Sequence, residues 1–473
     1  MKKGLSSHVL KVMSLFSGLQ MLNIVCSVVK MKLVALWLHA SGVGLFGIYQ
    51  SVIDNISTFS ELGIRQSAVR EAACASGRSR MAVVAGVVRR WSLLAGLLGA
   101  VVMMGASPFL GKWFFGSYGA CWGFMLLAAA MVFNSLVGGE QALLQGSARL
   151  RQLARSNLWG TLSGLALSVP LFYYCGATGV VLSIMAYAAA MYVCVRVYRL
   201  RTPKPSPAVG LGQLWHEGRG FIRLGVYMAL ASFVTATAHT VFIGIINHYW
   251  GTGDVGYIQA GDTVLVRYVG LVFTAIGMEF YPRLASVRDY PRRTSLFVNH
   301  EITLLLLLLV PLLLLFLLLR EPVVRLLYTS DFLVILPFIS WGVVGSIPKA
   351  VSWCMAYTII ARGDGRIYVL TEGLDAVLSV PLCVFAYARW GFAGLGAAYI
   401  AWYILYAAIV GAVYYRRYGL RLTVSTWRLI LVAVIVCVSG LLSVDTLPLY
   451  VAAPLLVLSG CCFLPPLRRM LKR

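Results

Sequence analysis

Four basic side chains of this sequence fall inside apolar stretches long enough to cross a bilayer: Lys30, Lys32, Arg267 and Lys349. A charge at that depth is costly and normally faces a protein-lined or wet cavity. Lys30 and Lys32 are about 200° apart around a helix of about 3.6 residues per turn. They therefore point in different directions, and snorkelling to the interface is open to either. Arg267 lies mid-span, five residues after Asp262, and Lys349 follows Pro348, where a kink would open space. Four cations at depth suit an anionic ligand. Phosphate fits best, because Arg grips it bidentately and Lys acts as a point charge.

The acids Asp54, Asp262, Glu372 and Asp375 lie within or close to the same stretches. Two roles fit them: an H+ or Na+ relay that couples transport to an ion gradient, or ion pairs that neutralise the cations, such as Asp262 with Arg267. Glu140 suits a helix-end or polar packing contact, His239 a packed and hydrogen-bonded histidine, and Asn299-His300-Glu301 an interfacial position. Catalytic machinery has little room. There is no Walker A, no HExxH and no extramembrane segment large enough for a catalytic domain. The ten cysteines are scattered without a CxxC, so neither a metal nor a cofactor is expected.

The elements that must position these charges follow from composition. Of 473 residues, 60% are hydrophobic and 12% charged, and the mean hydropathy is +0.83. A soluble globular domain carries about 25% charged residues, so the chain reads as an all-α integral membrane protein. Apolar segments of spanning length fall at 12–38, 44–63, 80–106, 118–146, 153–173, 177–198, 221–249, 254–280, 296–319, 331–361, 366–388, 392–415, 427–444 and 447–466, giving about 14 transmembrane helices. Met1-Lys2-Lys3 leads into the first of these, which is too long for a signal peptide and reads as a retained span.

Net charge is +24, and its placement decides what it means. With the N-terminus inside, 32 of the 40 Lys and Arg fall in inside loops and 4 outside: Lys112, Arg320, Arg325 and Arg389. That asymmetry is a positive-inside signal that puts both termini in the cytoplasm, with anionic headgroups beside the basic loops and no nucleic acid as partner. The proline-rich stretch Thr202-Pro203-Lys204-Pro205-Ser206-Pro207 is a semi-extended linker. The expected organisation is an N-terminal six-helix lobe (1–200), a cytoplasmic linker (201–220), a C-terminal six-helix lobe (221–418), and two further helices with a basic tail (419–473).

An internal repeat supports the two lobes. Gly44-x-x-Gly47-x-x-Gln50 corresponds to Gly253-x-x-Gly256-x-x-Gln259, and Gly176-x-x-Gly179 corresponds to Gly391-x-x-Gly394. Offsets of 209 and 215 residues imply two parallel six-helix repeats, an arrangement used in alternating access. Small residues also serve simply to pack helices.

Several short motifs then resemble a known family. They include Lys30-x-Lys32, Gly42-Val43-Gly44-Leu45-Phe46-Gly47-Ile48-Tyr49-Gln50, Glu279-Phe280-Tyr281-Pro282-Arg283-Leu284, Lys349-Ala350-Val351-Ser352-Trp353 and Trp390-Gly391-Phe392-Ala393-Gly394-Leu395-Gly396. In this order they look like the Wzx-type O-antigen/polysaccharide repeat-unit flippases of the multidrug/oligosaccharidyl-lipid/polysaccharide exporter superfamily. His39-Ala40 stands where that family commonly has a Gly-Pro turn, and Glu279 where it has Asp.

The resemblance implies a protein without covalent chemistry. Such proteins flip an undecaprenyl-pyrophosphate-linked oligosaccharide to the periplasmic leaflet of the bacterial inner membrane. The charges found at depth fit that substrate: Lys30, Lys32, Arg267 and Lys349 for the pyrophosphate, and Asp54, Asp262, Glu372 and Asp375 for ion coupling. Tyr227, Trp341, Trp353 and Tyr357 are candidates for stacking on sugars or for plain packing. Implied partners are the lipid-linked oligosaccharide, membrane lipids, and polymerase and chain-length regulator proteins. Two rivals stay open: a cation-coupled multidrug exporter, which calls for an acid-lined cavity, and a membrane-embedded glycan-modifying enzyme, which calls for a His or acid cluster on one face.

Overall fold

The computed structural model describes residues 2–61, 68–69, 72, 78–147, 149–199, 222–287 and 289–446, together with 451, 454, 456–457, 459–460 and 463. The described residues are almost entirely helical. The order is α1 (Lys2–Glu61), α2 (Arg78–Phe115), a 3-10 turn (Tyr118–Ala120), α3 (Cys121–Gly146), α4 (Leu150–Arg199), α5 (Ile222–Trp250) and α6 (Thr252–Asp262). A π-helical turn (Thr263–Tyr268) joins α6 to α7 (Val269–Val287). There follow α8 (Pro291–Leu318), α9 (Arg320–Leu327), a 3-10 turn (Ser330–Ile335), α10 (Leu336–Ala361), α11 (Gly365–Ala412), a second π turn (Val413–Arg417) and α12 (Val424–Thr446). Among the described residues, nine helices are long and apolar enough to cross a membrane. The expected linker at 201–220 lies outside the described residues.

The burial pattern is that of a lipid-embedded protein. On α2, Leu93, Leu94, Leu97, Leu98, Val101 and Met104 are exposed, while Ser92 and Ser107 are buried. Apolar side chains facing outward and small or polar ones facing helix neighbours is what lipid permits and water does not. Ser135 of α3 donates to the Ser92 carbonyl at 2.7 Å, and a Cβ on Gly139 would strike the Ser92 hydroxyl. Close backbone approach, not bulk, fastens α2 to α3. The chain is a multi-pass membrane protein.

Three of the long helices are broken, and each break separates two expected spans. Within α1 His39 leaves the helical region (φ 54°, ψ −161°); within α4 Gly176 does so (φ 55°, ψ −130°); within α11 Gly391 does so (φ 58°, ψ −139°). The chain reverses at each. The Lys30 ammonium sits 4.3 Å from the centre of the Phe46 ring, where an unbroken helix would hold the residues about 24 Å apart. Tyr187 reaches Thr161 across α4 at 3.4 Å, and Trp402 reaches Asp375 across α11 at 2.6 Å. By contrast α10 continues through Pro348 and α2 through Pro108, so neither proline ends its span.

The repeat is visible as shared geometry. Gly176 and Gly391 have nearly the same dihedrals. A Cβ on Gly179 would strike the Leu171 carbonyl oxygen, and a Cβ on Gly394 the carbonyl of Ala386, the residue equivalent to Leu171 at that offset of 215. Gly44 and Gly256 serve packing: their Cβ atoms would strike the Thr252 and Ala40 carbonyl oxygens, so two backbones touch there.

Two compact units result, Met1–Gly256 and Tyr257–Arg473. In the first, the arms of α1 pack against α4 and α5, and α2 against α3. The second is built on α10 against α11 and α8 against α12, over a core that includes Leu305, Leu309, Val343, Ile347, Val410 and Cys437. Helices α8 and α12 run in the same direction. At one end Asn299 accepts from the Thr423 amide and the Thr426 hydroxyl, each at 2.7 Å; at the other Arg320 meets Asp445 at 2.6 Å. Three passes separate α8 from α12, namely α10 and both arms of α11, so the parallel pairing requires the reversal at Gly391. Asn299, near the start of its helix as expected, is buried and acts as a structural clamp.

Candidate functional site

The second unit gathers Lys349, Glu372 and Asp375 from α10 and the first arm of α11 (365–390). Each is met by the second arm (392–412). The Lys349 ammonium donates to the Tyr399 hydroxyl at 3.0 Å and lies 5.1 Å from the Tyr403 ring centre and 5.9 Å from that of Phe273. Asp375 is buried and accepts from the Trp402 indole at 2.6 Å. Glu372 accepts from the Tyr406 hydroxyl at 2.5 Å. Tyr399, Trp402, Tyr403 and Tyr406 follow i, i+3, i+4, i+7 spacing and so share one helix face. Lys349 makes no direct ion pair among the described residues, although its charge acts on Asp375. Its positive charge is cradled by ring faces, an arrangement worth about 2 kcal/mol where water is excluded.

Asp262 ends α6 in the same unit. Together with Asp375 it acts electrostatically on the Cys383 thiol. Immediately after it the helix widens into the π turn that contains Arg267, and single π turns inside α-helices occur often at functional sites. The Arg267 side chain lies outside the described residues, as do those of Glu279 and Tyr227.

In the first unit the Lys30 ammonium sits over Phe46 and, at 5.1 Å, over Tyr187. The Tyr187 hydroxyl donates to Thr161, which donates to Asn23 at 3.0 Å. Lys30 is thus drawn inward between both arms of α1 and the second arm of α4. Lys32 is half-buried. Asp54 is exposed, accepting from Gln50 at 2.8 Å; Thr58 lies one turn on and donates to the Asp54 carbonyl at 2.7 Å. Beside this strip, Asn55 accepts from Thr237 of α5 at 3.2 Å and donates to Thr240 at 3.4 Å. His239 and Thr235 of α5 are exposed. The strip Gln50, Asp54, Thr58, Thr235 and His239 is too polar for lipid tails and marks a wetted face of this unit. His239 is therefore not the packed histidine expected.

The structure thus brings Lys349, Glu372 and Asp375 together, sets Asp262 near them, and places Lys30, Lys32 and Asp54 in the other unit. Glu140 is buried and paired with Arg196 at 3.4 Å, a packing role. Trp353 and Tyr357 meet in a tilted contact with ring centres 4.4 Å apart, and Phe280 stacks on Trp353 and tilts against Tyr357, also as packing. The aromatics that meet the charged groups are Tyr399, Trp402, Tyr403 and Tyr406, and their spacing was the available signal.

The family described as polysaccharide biosynthesis protein matches residues 33–337, more than half of the chain. This chain belongs to that family. It is similar to the lipid III flippase of Escherichia coli, with 24% identity over 306 residues that cover 63% of this chain and 68% of the relative. Among solved structures it resembles a lipid II flippase in an inward closed conformation, with TM-score 0.73 and 13% identity, covering 97% of this chain and all of that one. It also resembles an inward-facing multidrug resistance transporter of the MATE family, with TM-score 0.64 and 14% identity over 84% of this chain and 94% of that one. The fold is that of the multidrug/oligosaccharidyl-lipid/polysaccharide exporter superfamily.

Proposed function

We propose that this polysaccharide biosynthesis protein flips an undecaprenyl-pyrophosphate-linked oligosaccharide repeat unit. The movement is from the cytoplasmic to the periplasmic leaflet of the bacterial inner membrane, by alternating access, with both termini cytoplasmic and no covalent step. The similarity to a lipid III flippase supports a lipid-linked substrate, and family membership supports a saccharide. The observation that carries the reading is Lys349. An ammonium within a spanning helix, held by a tyrosine hydroxyl and aromatic faces with no direct carboxylate partner among the described residues, keeps its charge for an anion. Cationic drugs would be repelled by it.

In this reading Lys30, Lys32, Arg267 and Lys349 hold the diphosphate, and Asp54, Asp262, Glu372 and Asp375 serve coupling to H+ or Na+. A polymerase and a chain-length regulator act on the delivered product. The wetted strip of Gln50, Asp54, Thr58 and His239 supplies hydrogen-bonding groups for sugar hydroxyls.

The test is charge reversal in a strain deleted for the gene. Lys30→Glu and Lys349→Glu are each expected to abolish surface glycan while the protein still accumulates in the membrane at the wild-type level. Normal surface glycan in both variants contradicts the assignment, and altered glycan chemistry with intact export points to a modifying enzyme.

A further inference from the structure

Charge counting in the second unit leads beyond this reading. Glu372 and Asp375 stand three residues apart on the first arm of α11, so their carboxyl groups are neighbours on one helix face. Each accepts one short hydrogen bond from the second arm, from Tyr406 and Trp402 respectively. Tyr368 interacts electrostatically with Glu372, Tyr403 and the Lys349 ammonium of α10 do so with Asp375, and Tyr399 joins Lys349 to the Trp402 and Tyr403 rings. The Cys383 thiol, farther along the same arm, feels the charges of both Asp262 and Asp375. Two neighbouring carboxyl groups thus have one ammonium in their cluster inside a membrane-spanning region, and its charge acts on Asp375. With both ionised, one negative charge is left over where an uncompensated charge is least tolerated. With one proton between them, the cluster is neutral.

We propose that the Glu372–Asp375 pair is the site of one exchangeable proton, linked to substrate through Lys349, for which the carboxyl pair and the substrate's diphosphate compete. The inference rests on the assignment of Lys349 to the diphosphate. When the diphosphate recruits the ammonium, the pair loses its counter-charge and takes a further proton from water onto a carboxylate oxygen. When that proton returns to water, the pair reclaims Lys349 and the diphosphate is released. No other co-reactant is needed. Proton uptake and substrate binding favour each other, and the coupling is reciprocal by linkage. The geometry suits such sharing: Lys349 is tied to a phenol and not locked to either acid, so it can change partners without breaking a direct ion pair.

The experiment is titration calorimetry on the purified full-length protein in detergent, with farnesyl diphosphate as probe. Measurements in two buffers of different ionisation heat give the protons taken up per molecule bound. The same titrations are run with and without sodium chloride. Wild-type protein is expected to take up about one proton more than the Glu372→Gln/Asp375→Asn double variant, which still binds the probe. Each single variant keeps one carboxyl group to answer the loss of Lys349 and is expected to take up about as much as wild type, so the double variant carries the test, with Glu372→Ala/Asp375→Ala as its substitute should the amide pair fail to fold. Equal uptake in wild type and the double variant overturns the proposal, as does binding that strengthens with sodium and takes up no proton. Binding by wild type without proton uptake removes this inference alone. No binding of farnesyl diphosphate by wild type removes the Lys349 reading and this inference with it.

Discussion

At the scale of single residues, the polar chemistry rests on Lys349 and the hydroxyl that holds it. Tyr399→Phe keeps the ring but removes the 3.0 Å hydrogen bond to the ammonium. A hydrogen bond to a charged group is worth about 1.5–3 kcal/mol, so export of the glycan is expected to fall about tenfold or more, measured as the rate of surface glycan appearance after induction. An unchanged rate would show that the hydroxyl does not position Lys349. The charges themselves were legible in the sequence, because Lys349, Glu372 and Asp375 interrupt apolar segments. Their partners were not, since Trp and Tyr abound in membrane helices for packing and interfacial reasons. Trp353 and Tyr357, candidates for stacking on sugars or for plain packing, pack against Phe280. Only contacts across a chain reversal distinguish the two sets. The exposure of His239 and the burial of Asn299 were likewise hidden, because hydropathy gives depth and not facing direction.

At the scale of elements, the sharp reversals carry the fold. Gly116, Gly176, Gly251, Gly363, Gly391 and Gly419 have positive φ between helices or helix arms, but one such turn is made by His39, the one non-glycine residue with positive φ among the described residues. A side chain there costs about 1–3 kcal/mol. His39→Gly is accordingly expected to raise the melting temperature of the purified protein in detergent, offset in part by the greater freedom of glycine in the unfolded chain. Gly394→Ala is expected to lower it, because its Cβ meets a backbone carbonyl that has no room to move. A lower melting temperature for His39→Gly would refute the strain. The family resemblance had pointed to a glycine-containing turn at this place. The structure gives His39 the backbone such a turn requires. Span limits were well read where a glycine marked the reversal. They were misjudged at α2, which runs on to Phe115 through Pro108, because a proline inside a membrane helix does not by itself stop it.

For the whole molecule, the charge asymmetry was the strongest signal in the sequence, and the four exceptions to it now have a physical account. Arg320 pairs with Asp445 and Arg325 with Glu321, while Lys112 lies over Tyr118 and Arg389 over Phe385. Each of the four cations expected on the opposite side therefore has a partner that softens its cost. The helical membrane fold and the repeat followed from hydropathy and glycine spacing. The identity of the wetted face did not, since it depends on which sides of α1 and α5 meet. The central claim is that the half-buried lysines of the spans grip a diphosphate and carry it across. It is tested most directly in vesicles reconstituted with the protein and a fluorescent polyprenyl-diphosphate sugar, by the rate at which outer-leaflet dithionite gains access to the inner-leaflet label. Wild-type protein is predicted to speed that access, and Lys30→Met/Lys349→Met to slow it at least about tenfold at equal protein content, in line with two lost contacts to a charged group. A double variant that translocates the labelled lipid as fast as wild type would contradict the account.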